Sequence, residues 1–209
     1  MNTISLKEIS KKFLRQTIFN NISFEAQQGD VIAITGYNGS GKSTLLQIVA
    51  GYISPTSGQV DFFFKNKKIH PDNLYQYISL AAPYLELIEE FTLAETISFY
   101  TNFKSLINER SISDEIQKDH TEFSMGKQIK FYSSGMKQRV KLALALMTDV
   151  PFVLLDEPHS NLDQKGIIWF NDLLAQNKDD KIIFISSNRV REETGFCNKF
   201  INLEDYKKN

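Results

Sequence analysis

The amino-acid sequence predicts an α/β protein with a β-rich N-terminal part and a helical insertion. A short apolar, β-branched strand at 30–35 leads directly into a glycine-rich loop and a helix. A second apolar strand, at 152–155, ends in two acidic residues. The stretch between these strands has a largely helical pattern. We therefore expect an α/β core with an antiparallel β subdomain over about 1–83 and 150–209, and a helical subdomain over about 84–149.

The remaining elements follow from alternation and from capping signals. The first thirty residues alternate between apolar and polar side chains, which predicts two or three strands separated by polar turns such as 27–30. Other short apolar strands are predicted at 58–64, 78–82 and 181–187. Thr92 and Glu95 form a capping-box pattern that begins one helix. A second helix is predicted at 135–147.

The glycine-rich loop reads G-Y-N-G-S-G-K-S-T over 36–44, a complete G-x-x-x-x-G-K-[ST] motif. In this motif backbone N–H groups surround phosphates, Lys42 reaches toward the β and γ phosphates, and the Ser43 hydroxyl can bind Mg²⁺. The helix that follows places the positive end of its dipole at the loop, which favours binding of phosphate. The motif predicts a nucleotide site formed by Gly36, Tyr37, Asn38, Gly39, Ser40, Gly41, Lys42, Ser43 and Thr44.

Two acids, Asp156 and Glu157, directly follow the apolar strand at 152–155. An Asp at the end of such a strand can hold Mg²⁺, and a Glu one residue later can polarise the attacking water. Taken alone, the pair could equally begin a surface turn. The phosphate loop upstream favours a metal ligand at Asp156 and a catalytic base at Glu157.

A third motif reads Y-S-S-G-M-K-Q-R-V over 132–140. With the other two motifs it resembles the ATP-binding cassette (ABC) ATPases, whose signature reads L-S-G-G-Q-x-Q-R. The matching positions are Ser133, Gly135, Gln138 and Arg139. Ser134 replaces the first glycine of the signature and Met136 replaces its glutamine. With methionine at this position the motif resembles the branch of the family whose signature reads Y-S-G-G-M-K-x-R. The resemblance covers nearly the whole chain and implies a P-loop NTPase (RecA-like) core, ATP and Mg²⁺ as cofactors, and ATPase activity.

The resemblance also implies a head-to-tail homodimer in which each signature covers the nucleotide of the other copy. Ser133 and Gly135 would then contact ATP, Asp163 of the S-N-L-D loop would lie at the dimer interface, and Phe13 would stack on adenine. Each assignment has a structural alternative. Ser133 could simply cap a helix, Asp163 could belong to a helix-opening cluster, and Phe13 could be a core aromatic.

Two positions depart from the family pattern. Pro83 stands where the family has a lid glutamine, and Asn188 stands where it has a switch histidine. Asparagine can donate a hydrogen bond to a γ-phosphate but cannot act as a proton shuttle. The expected catalytic residues are Glu157, Lys42 and Asn188. Because Lys42, Asp156 and Glu157 are all present, we expect hydrolysis to persist but to be slow. A water or Glu86 could replace the missing glutamine.

Composition narrows the function further. The net charge is −1 and the isoelectric point about 6.3, so no nucleic-acid partner is expected. No apolar run approaches the roughly 18 residues that span a bilayer. The single Cys197 excludes an internal disulfide.

We expect a cytoplasmic protein, peripheral on the membrane, that binds a separate permease near Tyr84–Phe91. Core packing of Leu85 and Ile88 is the alternative for that segment.

The leading function is an ATP-hydrolysing subunit that powers a membrane transporter, of an efflux type by resemblance, through ATP-driven closure of the dimer. A second hypothesis is an ATP-dependent switch acting on a soluble assembly, repair or translation partner. A nucleoside-kinase-type phosphotransferase would share the phosphate loop, but it does not account for the motifs at 133–139 and 156–158.

Overall fold

The computed structural model describes residues 1–107, 109–118, 123–187 and 195–207. The strands are β1 (Thr3–Phe13), β2 (Gln16–Gln27), β3 (Val31–Thr35), β4 (Ser57–Phe64), β5 (Lys67–Lys68), β6 (Ile78–Ala81), β7 (Phe152–Asp156), β8 (Ile182–Ser186) and β9 (Lys199–Asn202). The helices are α1 (Lys42–Val49), α2 (Leu93–Thr101), α3 (Glu109–Gln117), α4 (Ser134–Leu146) and α5 (Gln164–Asn177). In this part of the chain no helix is both long and apolar enough to span a membrane.

The parallel sheet has the strand order β6-β7-β8-β3-β9 within the described residues. Every residue of β7 and β8 is buried, as expected for strands covered on both faces. Successive side chains point to opposite faces, so Val153 and Leu155 join the core with α4 and α5, whereas Phe152 and Leu154 join the core with α1. All five carboxyl ends meet at one edge of the sheet.

The antiparallel sheet, ordered β2-β1-β4-β5, packs against the α1 side of the parallel sheet. Its long hairpin pairs Leu6 with Phe24, and Ile4 with Ala26. Ile4, Leu6 and Ile9 are buried because the alternating pattern places them on the core face. The predicted α/β fold with an N-terminal antiparallel part is therefore confirmed.

Helices α2, α3 and α4 lie in the chain between β6 and β7. The capping box that begins α2 is present: the Thr92 hydroxyl accepts from the Glu95 N–H at 3.2 Å, and the Glu95 carboxylate accepts from the Thr92 N–H at 2.7 Å. Ile112, Ile116 and Leu142 of these helices are buried. The boundaries proposed for a helical subdomain, about 84–149, remain a prediction.

Two short strands were not predicted. β5 follows the predicted strand at 58–64 and pairs Lys68 with Phe63 of β4. β9 runs parallel to β3 and pairs Phe200 with Ala33. Both are too short for a clear sequence pattern, because two to four residues contain at most two periods of alternation.

Candidate nucleotide-binding site

The phosphate loop lies between the carboxyl end of β3 and the start of α1. Gly41 has a φ of 106°, and a Cβ there would lie 2.4 Å from the Ile18 side chain of β2. Both the left-handed backbone and the close packing against the hairpin therefore require glycine. Tyr37, Asn38 and Gly39 are exposed at the outer bend of the loop. The loop thus presents backbone to solvent while its base is fixed in the core.

Lys42 extends along the inside of this loop. Its side-chain ammonium donates to the carbonyls of Gly36, at 2.9 Å, and Tyr37, at 3.1 Å. The residue is only 6% exposed. Burial lowers the pKa of Lys42, and the nearby carboxylates of Glu157 and Asp156 oppose that shift. The structure therefore brings the lysine of the first motif together with both acids of the second.

Asp156 and Glu157 lie where β7 ends at the same edge of the sheet. Asp156 is buried, and its carboxylate accepts a 2.5 Å hydrogen bond from the Ser186 hydroxyl of β8. Glu157 has a φ of 48°, and its N–H donates to the Ser186 carbonyl at 2.9 Å. A left-handed conformation is uncommon for a glutamate and is typical of strained functional positions. Ser186 holds both acids in place, a role that sequence reasoning missed.

The residues near Asp156 suit Mg²⁺ that arrives with a nucleotide. The Asp156 carboxylate and the Ser43 hydroxyl are oxygen donors, which this ion prefers. Within the described part of the chain, no group of three or more His, Cys, Asp or Glu residues could form a dedicated metal cage. Mg²⁺ is usually held by one or two carboxylates together with substrate phosphates and water, so this small donor set fits it.

The signature and the Asp163 loop form one surface. Ser133 caps α4, accepting from the Met136 N–H at 3.2 Å, and Asp163 caps α5, accepting from the Gly166 N–H at 2.7 Å. Both therefore have the capping role that was considered as an alternative. They also line a common cavity of about 340 Å³ with Gly135. At Gly135 a Cβ would lie 2.8 Å from the Asn161 carbonyl, so glycine permits the close contact between the two loops.

Phe13 lies at the tip of the β1–β2 hairpin and is 48% exposed. The alternative of a core aromatic is therefore wrong. The Lys11 ammonium lies 4.8 Å from its ring centroid. Tyr37 of the phosphate loop is also exposed, with the Lys207 ammonium 3.8 Å from its ring centroid. Such rings are available to stack on a flat, polar base.

The remaining catalytic candidate, Asn188, lies outside the described residues. Ser187, which precedes Asn188, donates its N–H to the Ile34 carbonyl beside the phosphate loop. His159 is buried and packs edge-to-face on Phe170, with ring centroids 5.1 Å apart.

Sequence reasoning also missed the surroundings of Tyr84. Tyr84 was assigned only to the permease-binding segment, and Gln47 was not singled out. Burial raises the pKa of Tyr84, the hydrogen bond from Gln47 opposes this in part, and the negative charge of Asp156 adds to the increase.

Comparison with known proteins agrees with this geometry. The ABC transporter family model matches residues 19–160. YybJ of Bacillus subtilis strain 168, named an uncharacterised ABC transporter ATP-binding protein, is 28% identical over 196 residues, which cover 93% of this chain and 89% of that protein. The lantibiotic transport ATP-binding protein SrtF of Streptococcus pyogenes is 28% identical over 203 residues, covering 95% and 85%.

A solved ABC transporter ATP-binding protein from Pyrococcus furiosus shares the fold, with a TM-score of 0.80 and 21% identity over 99% of this chain and 100% of that one. The family match extends over well more than half of the chain. The chain therefore belongs to the ABC transporter family, as an ATP-binding subunit with ATPase activity.

Proposed function

We propose that two copies of this subunit bind MgATP, close head to tail over two nucleotides, and drive a separate membrane permease when ATP is hydrolysed. The observation that supports this most strongly is the convergence of Lys42, Asp156 and Glu157 at one edge of the parallel sheet. An ammonium beside two carboxylates, next to a loop of backbone N–H groups, suits phosphoryl transfer to water.

Within this proposal each residue has a distinct task. Backbone N–H groups of 36–44 and the Lys42 ammonium bind the phosphates. Ser43 and Asp156 would hold Mg²⁺, which neutralises charge on the phosphate oxygens. Glu157 orients the attacking water and accepts its proton. Asn188 donates a hydrogen bond to the γ-phosphate.

The second copy would complete each site. Ser133 and Gly135 at the start of α4 would face the γ-phosphate bound by the partner, where the helix N-terminus favours an anion. Asp163 shares a cavity with both residues, which supports its place at the same interface. Phe13, exposed at the hairpin tip, would stack on adenine.

A groove formed by the segment 85–91, α2 and α4 is the proposed permease-binding surface. It encloses a cavity of about 200 Å³, lined mainly by apolar side chains that include Leu85, Ile88, Phe91 and Phe99. The half-buried ring of Phe91 and the exposed rings of Phe99 and Phe103 extend it as an edge-to-face row, with centroids 5.6 and 5.1 Å apart. Such a groove suits a short amphipathic helix. Tyr84, at the start of the predicted segment, does not line it.

Binding in this groove would place the protein on the cytoplasmic side of a membrane. The relatives named above carry transport names, and none of the described features favours a soluble partner instead. The net charge of −1 provides no excess of positive charge for binding a nucleic acid, so we propose no nucleic-acid partner.

Ile88→Asp tests the groove. Ile88 is 40% exposed, so aspartate is tolerated by the fold but puts a charge where the permease helix would pack. Tagged Glu157→Gln protein, purified with ATP from a detergent extract of its native cells, should retain a polytopic membrane protein in stoichiometric amount. Adding Ile88→Asp should reduce that amount by about tenfold, the effect of a central interface residue.

The matched control is Ile168→Asp on α5, where the same change falls on a side chain that is 54% exposed. It should leave recovery unchanged. Full recovery with Ile88→Asp would contradict the groove assignment, and recovery of soluble partners alone would contradict the transporter proposal.

A further inference from the structure

The chain turns sharply directly after β7, from Glu157 to Ser160. The Ser160 N–H donates to the Glu157 carbonyl at 3.0 Å and closes this turn. Pro158 occupies the second position of the turn, where the fixed backbone angle of proline is favoured. The backbone of the proposed base is therefore held on one side by the Ser186 carbonyl and continues on the other side into the turn.

Gln138 of α4 fixes the middle of this turn. Its side-chain amide donates to the Pro158 carbonyl at 3.0 Å, and both residues are buried. The peptide after the second residue of a turn is the one whose rotation converts a type I turn into a type II turn. A hydrogen bond to its carbonyl, in an interior where carbonyls require partners, therefore holds this peptide in one orientation.

The face of α4 that carries Gln138 also carries Gly135, because residues three apart are neighbours on a helix. A Cβ at Gly135 would lie 2.8 Å from the Asn161 carbonyl, so the backbone of the loop runs close to the helix there as well. The segment after Glu157 thus follows the first turns of α4, which it meets at Pro158 and at Asn161.

Helix α5 packs against the same unit. The ring of His159, within the turn, lies edge-to-face on Phe170 of α5. The Arg139 guanidinium of α4 lies 4.7 Å from the centroid of the Trp169 ring of α5. Because a packed interior has little free space and transmits strain, a shift at the start of α4 is passed on to the turn after β7.

We propose that Gln138 is a positioning residue for Glu157. Its hydrogen bond sets the orientation of the peptide after Pro158, and thereby the direction in which Glu157 presents its carboxylate to the attacking water. In the proposed dimer the start of α4 faces the γ-phosphate of the nucleotide bound by the second copy. The hydrogen bond therefore couples the nucleotide in one site to the base of the other site. The inference rests on the proposed function of the site.

The test is a double-mutant comparison of phosphate release from MgATP. Gln138→Met keeps the approximate length of the side chain and removes the donor. In the native background it should reduce kcat by at least about tenfold, as expected when a catalytic group is displaced, and leave KM for ATP unchanged. In the Glu157→Gln background it should cause no further loss of the residual rate, because the carboxylate that it positions is already absent.

Gln128→Met is the matched control, because the Gln128 amide donates to the Glu90 carbonyl at 2.9 Å at the protein surface. It should leave kcat and KM unchanged. An unchanged kcat with Gln138→Met would overturn the inference, and so would an equal fold loss in both backgrounds, which indicates a general structural role.

Gln138→Asn, whose shorter amide does not reach the Pro158 carbonyl, decides the question in the same way if the methionine variant does not fold. Failure of both variants to fold would also overturn the inference, since the bond would then be structural. If the Glu157→Gln protein itself hydrolyses ATP at the native rate, the assignment of the base is wrong and the proposed function of the site falls as well.

Discussion

Replacing Glu157 with Gln should reduce steady-state ATP hydrolysis by at least about 100-fold while ATP binding is retained. Loss of a general base typically costs a factor of this size. The amide has the shape of the carboxylate but cannot accept the proton of the attacking water. The backbone at Glu157, with φ of 48° and its N–H bonded to Ser186, does not depend on the side chain.

Phosphate release with Mg²⁺ measures the rate, and calorimetry measures the ATP affinity. Glu204→Gln makes the same chemical change at an exposed position outside the site and should leave both values unchanged. A Glu157→Gln rate within a few-fold of the native rate would mean that another group takes the proton.

Replacing Lys42 with Ala should weaken MgATP binding by about 10- to 100-fold, the cost of losing charge-assisted hydrogen bonds, and reduce hydrolysis further. The ammonium is buried between the loop carbonyls and the two acids. Its removal takes away a positive charge that interacts with Asp156 and Glu157, so less of their repulsion of the phosphates is offset.

Calorimetric titration with MgATP checks this expectation. Lys65→Ala, an exposed lysine of the β4–β5 hairpin, is the control and should bind normally. Unchanged MgATP affinity in the Lys42→Ala protein would contradict the assignment of the phosphate loop.

The strand, loop and helix around Lys42 were predicted closely because their signals are local. The apolar β-branched strand, the glycines of the loop and Gly51, a glycine typical of the end of a helix, all lie within about twenty residues. The helix indeed ends at Val49, and Gly51 adopts a φ of 77°. Asp156 and Glu157 were likewise found from their place after a fully apolar strand.

Features that depend on tertiary packing were not predicted. The place of Tyr84 at the carboxyl edge of the sheet depends on the register between β6 and β7 and on the turn closed by the Leu85 N–H and the Ala82 carbonyl, neither of which is encoded in the segment alone. Ser186 becomes important only because β8 lies beside β7. The exposure of Phe13 likewise follows from the hairpin tip lying outside both cores.

Closure of two copies over ATP is the central proposal, and the molar mass in solution tests it directly. Light scattering after size exclusion should give the Glu157→Gln protein a mass about twice the 24.0 kDa of one chain with MgATP, and a single-chain mass with MgADP. Adding Gly135→Ala, whose Cβ would lie 2.8 Å from the Asn161 carbonyl, should return the ATP sample to a single-chain mass. A single-chain mass with saturating MgATP, or a dimer unaffected by Gly135→Ala, would contradict the proposal.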